Sequence, residues 1–350
     1  MRLHCVVSII LLAMLLSPGC KSTGTAGSST EAVVPESVPS PKTGQVTMVQ
    51  DETTLGYAVR LIGEQTGGGL VLVNGVEDRL VGPFEFDKTP LDQVASRLAI
   101  EAGCAVEFGP YYHFLYPPGY ESLIGLSLRG QIPPKMNQNT EGIAFGNGLP
   151  LHMLFVWLGR AKGITIVSDH LVADTRSGEL AIGDAPLDAS LEGILKSARL
   201  TSFKVEANDD YIFIRAASNQ TTGSQLLNPD ALDRSRRRFL EKRATVVLPH
   251  QETDTIAMSK GAVRLGTVLG TLTTQLGIRV EAERSMHDLP VVPAYYHDLP
   301  VETILDLLIR QWPVPAFGYH VLADRIVLAT RPGQANPMND KTWESRPILK

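Results

Sequence analysis

Three glycines in this chain stand at one fixed distance from three prolines. Gly67, Gly163 and Gly277 each precede a proline, Pro90, Pro186 and Pro300, by 23 residues. Each glycine closes a run of helical apolar spacing and is followed by a short apolar stretch. Each proline opens the same signature: Pro90-Leu91-Asp92, Pro186-Leu187-Asp188 and Pro300-Val301-Glu302. One turn signature at one spacing, written three times, marks an internal repeat. Glycine is suited to the end of a helix and proline to its start, so the interval runs from the end of one helix to the start of the next.

Read in full, the first unit covers residues 45–118. Val46–Val49 is a strand, and Leu55, Ala58, Val59 and Ile62 have helical spacing. Leu70–Val73 and Phe84–Phe86 are strands. Thr89 is expected to cap a second helix with Pro90 at its first position, and Leu91, Val94, Ala95 and Leu98 line its inner face. Ala105–Phe108 and Tyr111–Tyr116 close a hairpin, giving the order β-α-β-β-α-β-β. The second unit covers 121–217, with strand candidates at Ile124–Leu128 and Ile143–Phe145 and helices ending at Gly163 and beginning at Pro186. The third covers 244–331. Its opening Thr253–Met258 matches Thr140–Phe145 of the second, and Pro293 inside Val291–Tyr295 points to a sheet edge or bulge. The fold class expected is α+β: three tandem small modules, each with two helices packed on small mixed sheets. Between the second and third lies a linker, 218–243. It holds one short helix from Asn228, whose basic half (Arg236, Arg237, Arg238) reads either as a solvated connector or as a contact for anionic lipid or an acidic partner. Residues 332–350 read as a loose polar tail.

The N-terminus reads as an address. Arg2 precedes the apolar run Val6–Leu16, too short to span a bilayer, which takes about 20 residues. Leu16-Ser17-Pro18-Gly19-Cys20 resembles a bacterial lipobox, with 1–19 as the signal and Cys20 as the lipidated residue. Lys21 in place of Asp then implies the outer membrane, facing the periplasm. Residues 20–44, rich in Ser, Thr, Gly and Pro, read as a flexible tether. With Cys5 in the signal and Cys20 lipidated, Cys104 is left without a disulfide partner and reads as a small core hydrophobe.

The β-α-β-β-α-β order resembles the periplasmic N-domains of secretins and the secretin/TonB short N-terminal domain. The resemblance rests on the helix-ending pairs Thr66-Gly67, Lys162-Gly163 and Leu276-Gly277 before apolar strands, the Pro-Leu-Asp helix starts, and the closing hairpins. It extends over most of residues 45–331. It implies modules that stack or bind envelope components through exposed strands and helix faces. Secretins continue into a long pore-forming region, whereas only the tail follows the third unit here. The expected role is therefore a non-enzymatic scaffold associating with a secretin, pilus or TonB-linked assembly, or with itself. The alternative is a ligand-binding or signalling receptor of the envelope.

The chemistry-bearing residues point the same way. A net charge of −5 argues against nucleic acid as a partner. Asp92, Asp188 and Glu302 recur, but in first turns of helices, where a carboxylate is stabilised by unpaired N–H groups. His287, His297, Asp288 and Asp298 flank one strand pair without the convergence that a metal needs, and no cofactor or metal is expected. Gly67-Gly68-Gly69 lacks the Lys-Ser/Thr of a phosphate loop. Tyr111, Tyr112 and Tyr116 form an aromatic-rich edge, read either as local packing or as a partner contact.

Overall fold

The computed structural model describes residues 44–248 and 263–334. The signal, Cys20, the tether up to Thr43, the Thr253–Met258 stretch and the tail beyond Gln334 lie outside them. The described residues form a mixed α+β fold with several small sheets and eight α-helices.

The first segment contains β1 (Gln45–Gln50), β2 (Thr53–Thr54), α1 (Leu55–Thr66), β3 (Leu70–Leu72), β4 (Leu80–Val81), β5 (Phe84–Pro90), α2 (Leu91–Glu101), β6 (Ala105–Phe108) and β7 (His113–Tyr116). The second contains β8 (Asn139–Thr140), β9 (Ile143–Phe145), α3 (Leu151–Lys162), β10 (Thr165–Ser168), α4 (His170–Ala173), β11 (Leu180–Ile182), β12 (Ala185–Pro186), α5 (Leu187–Ser197), β13 (Phe203–Ala207) and β14 (Tyr211–Ala216). After α6 (Arg234–Glu241), the third contains β15 (Arg243–Leu248), β16 (Val263–Arg264), α7 (Leu265–Leu276), β17 (Arg279–Ala282), β18 (Pro290–Val291), β19 (Ala294–Pro300), α8 (Val301–Arg310), β20 (Phe317–Val321) and β21 (Arg325–Thr330).

The repeated glycines do what their spacing implies. Gly67, Gly163 and Gly277 close α1, α3 and α7 in the left-handed region, at φ +80°, +62° and +68°. A residue with a Cβ is strained there, and glycine is not. The prolines sit one position earlier than expected. Pro90, Pro186 and Pro300 are the N-caps of α2, α5 and α8, not their first helical residues, and Thr89 does not cap. Each proline also ends a strand, with ψ between 140° and 153°. Its locked φ suits both the strand's last residue and the cap, and its missing N–H costs nothing there. In α5 the cap is replaced by neighbours. Asn137 Oδ1 accepts from the Asp188 N–H at 2.9 Å, and Asp188 Oδ1 accepts from the Ala189 N–H at 2.7 Å.

Three further expectations are corrected. Residues 124–128 are not a strand: Gly125 turns at φ +77°, and Leu123 and Leu128 both bury their side chains. The single linker helix is a 3-10 turn at Pro229–Ala231 followed by α6, because Asp233 starts a new helix by accepting from the Arg236 N–H at 2.9 Å. Val291–Tyr295 is two strands, broken at Val292-Pro293.

Parallel pairs β3–β7, β10–β14 and β17–β21 are each extended by an antiparallel hairpin partner, β6, β13 and β20. β1–β5 and β15–β19 are antiparallel, each with a register shift, between Val46 and Met48 and between Ala244 and Val246. One sheet crosses from the first segment into the second, in the order β6-β7-β3-β11-β9. A single apolar core accordingly joins these two segments, from Val46 to Ala216. A second core belongs mainly to the third segment and takes in Val167 and Phe213.

Candidate binding surface

A strand edge is a row of N–H and C=O groups that needs partners. Several edges are closed within the chain. β3 is closed by β11: the Gly69 N–H donates to Ala181 O at 2.7 Å and the Leu72 N–H to Glu179 O at 2.8 Å. Helix α1 packs so tightly over this junction that a Cβ at Gly63 would lie 2.5 Å from the Ala181 Cβ. Beside it, Arg60 Nε reaches Glu179 at 3.0 Å. Lys196, only 3% exposed at its side chain, lies 2.8 Å from Glu107 and 3.3 Å from Glu192. It sits 5.7 Å from the ring centroids of Tyr112 and Phe114.

The tyrosine edge is spent in the same place. Tyr112 and Tyr116 are buried, Tyr111 packs partly buried against the core, and the Tyr112 O–H donates to Glu192 at 2.7 Å. Burial first, then the Glu192 charge, raise the Tyr112 hydroxyl well above its ordinary value. These rings pack within the chain.

The second and third segments meet differently. Thr165 Oγ1 accepts from the His297 N–H at 2.8 Å, and no ladder joins β10 to β19. Arg310 of α8, with a side chain 3% exposed, reaches both carboxylate oxygens of Glu206 in β13 at 2.9 and 2.5 Å. Its guanidinium lies 4.5 Å from the Phe213 ring centroid. Burial alone would raise the Glu206 carboxyl, but its bonds to Arg310 hold it below its ordinary value. Nearby, Asp169 accepts from the N–H groups of Val172 and Ala216 and from Asn219 Nδ2, each at 2.9 Å. Burial pushes its carboxyl up to about 6 despite those bonds.

In the third segment, β20 is closed by the chain that leads into it. The Tyr319 N–H donates to Gln225 O at 3.0 Å, and the Leu227 N–H to Tyr319 O at 2.8 Å, so residues 225–227 lie parallel to β20. Asn228 continues the ladder with its side chain, accepting from the Val321 N–H at 3.0 Å and donating to Val321 O at 3.1 Å.

The corresponding edge of the second segment, β13, is open among the described residues. Asn208 and Ser202 bond to Tyr211 and Ala217 on the β14 side. By alternation, Phe203, Val205 and Ala207 turn their N–H and C=O outward. A groove of about 650 Å³ runs between this edge and the 122–131 turn, lined by Ile124 and Leu128 of the turn and by Phe203, Val205, Glu206 and Arg215. Ile124 is 43% exposed. In the first segment β6 also ends its sheet, beside the exposed Phe108 and Ile100.

The remaining candidates do not converge. Asp92, Asp188 and Glu302 each stay in the first turn of a separate helix. His287 Nε2 bonds Ala282 O at 3.1 Å and His297 Nδ1 bonds the Tyr295 hydroxyl at 2.9 Å. Among the described residues no three His, Cys, Asp or Glu side chains are grouped to hold a metal. Arg236 bonds Asp233 and Val321 O and Arg237 bonds Pro229 O, while Arg238 is exposed. Sequence reasoning passed over the β13 groove. Its signal was the apolar run Ile124–Leu128, placed beside a strand edge by contacts that no local pattern encodes. Comparison with protein-family models, curated proteins and solved structures finds no match to this chain.

Proposed function

We propose that this protein is a non-enzymatic scaffold of the bacterial envelope, anchored in the outer membrane by a lipid on Cys20 and facing the periplasm. Its three α+β units dock a secretin or a TonB-system component. The three-unit reading is supported by the recurrence of one pairing scheme: a parallel strand pair, a closing hairpin, a left-handed glycine and a proline N-cap in each segment. The observation that carries the scaffold reading is the outer edge of β13, whose outward backbone groups face an open groove with an exposed apolar wall. Such an edge gains a strand from a partner more readily than it holds a small molecule.

In-cell crosslinking followed by mild solubilisation and mass spectrometry tests this. Recovery of a secretin or TonB-system component, lost on deletion of one segment, supports the scaffold. Recovery of the protein alone argues against it and toward a receptor for a small ligand.

A further inference from the structure

The third segment contains a worked example of how this type of edge is filled. Residues 225–227 lie along β20 in the parallel direction and exchange bonds with Tyr319. Val205 holds the same place in β13: Tyr319 pairs with Leu328 of β21, and Val205 with Ile214 of β14. We propose that the β13 edge binds an extended peptide segment of a partner, running parallel to β13, with alternating apolar and acidic side chains. This rests on the scaffold reading and adds the site, the strand direction and the residue pattern.

The pattern follows from the two faces of β13. Phe203 and Val205 lie opposite Ala216 and Ile214 and pack against the core, continuing the apolar wall of Ile124 and Leu128. A strand added here places alternate side chains against that wall. Lys204 lies opposite Arg215 on the other face. Glu206 is shared between Arg310, which it bonds, and Arg215, whose Nε lies 4.0 Å away, while Lys204 is exposed. The groove's second face therefore has positive charge to spare, which an acidic side chain complements. The filled edge lacks this feature: Gly318 stands where Lys204 does, and a Cβ there would lie 2.6 Å from Leu227 Cδ2. Leucine seats over glycine in β20, and a carboxylate seats beside lysine in β13.

The test uses the full chain and two capped seven-residue peptides, one alternating valine with glutamate and the other valine with lysine, with binding read by fluorescence anisotropy. The glutamate peptide is expected to bind, and the lysine peptide to bind at least about tenfold more weakly. Lys204→Glu lowers affinity for the glutamate peptide by about tenfold. Val205→Pro removes the outward N–H at an edge position that tolerates proline, and abolishes binding. Val106→Pro in β6 leaves binding unchanged. Equal binding of both peptides, no binding at millimolar peptide, or full binding by Val205→Pro overturns the proposal. If circular dichroism shows Val205→Pro unfolded, Lys204→Glu decides alone. Partner crosslinks that persist in a folded Val205→Pro protein overturn this site while leaving the scaffold reading intact. Their absence from the wild type overturns the scaffold reading itself.

Discussion

The two junctions along this chain solve the same problem with different chemistry. Between the first and second segments, β11 adds to β3 through backbone bonds, and Gly63 lets a helix settle onto Ala181. Between the second and third, the same elements approach without a ladder, and buried side chains hold them: Arg310 on Glu206, and Thr165 on the His297 N–H. At the corresponding helix position, Gly159 faces the ring of Tyr295, with a Cβ there 3.6 Å from Tyr295 Cδ1. A small alanine admits a close strand, and a tyrosine holds it away. The first junction also has ion pairs, Arg60–Glu179 and Lys196–Glu107, but it keeps a ladder beneath them, so it should be the more sensitive to packing and the second the more sensitive to loss of charge.

The sharpest break is Gly63→Val. Its Cβ would meet Ala181 at 2.5 Å, and overpacking of this kind costs about 2–3 kcal/mol. Urea unfolding measures the loss, and a second change, Ala181→Gly, is expected to recover part of it. Gly159→Val should be costly too, through Ile164 O at 2.8 Å, but without rescue from position 295.

Arg310→Met comes next. It leaves Glu206 without its partner, and because that carboxylate keeps 37% of its side-chain surface exposed, the cost is about 2 kcal/mol, below that of a fully buried pair. Adding Glu206→Gln should return most of it.

Acid separates the junctions directly. The Glu206 carboxyl titrates lower in the folded protein than in the unfolded chain. Its stabilising contribution is present above the ordinary carboxylate range and lost as pH falls through the depressed value. Hydrogen exchange at low pH should open β10 and β19 before β3 and β11. Glu206→Gln should remove that ordering. Loss of protection in β3 first would contradict the comparison.

The smallest effect is expected at Arg243, which bridges Asp210 of the second segment and Asp298 of the third at 2.8 and 3.1 Å with its side chain 46% exposed. Arg243→Gln should cost about 0.5–1 kcal/mol, vanishing in high salt.

Much of the local architecture was legible before the structure. The Gly67–Pro90 interval and its two counterparts located helix ends, middle strands and helix starts, because left-handed glycine and φ-locked proline are read from single residues. The limits of that reading are physical. Whether Pro90 is the cap or the first helical residue depends on ψ, which the proline ring does not fix. Ile124–Leu128 looked extended because its apolar residues alternate, but Gly125 turns the chain and both flanking leucines face inward. The groove itself depends on Leu123 and Leu128 anchoring a turn beside β13, some 80 residues away in sequence. Tyr112 looked available because nothing local announces Glu192 and Lys196. Ala181 against Gly63 is legible only once the partner is known, since both residue types are common anywhere.

Four residues before its closing glycine, each of the three helices has a position that looks toward the next strand: Gly63, Gly159 and Thr273. The third is not glycine. The Thr273 hydroxyl accepts from the Val280 N–H at 2.9 Å, on the outer side of β17, and no strand of the described residues pairs there. At that edge a hydroxyl of the chain itself already takes the N–H that an added strand would otherwise claim, a contact that a glycine at the same helix position could not make.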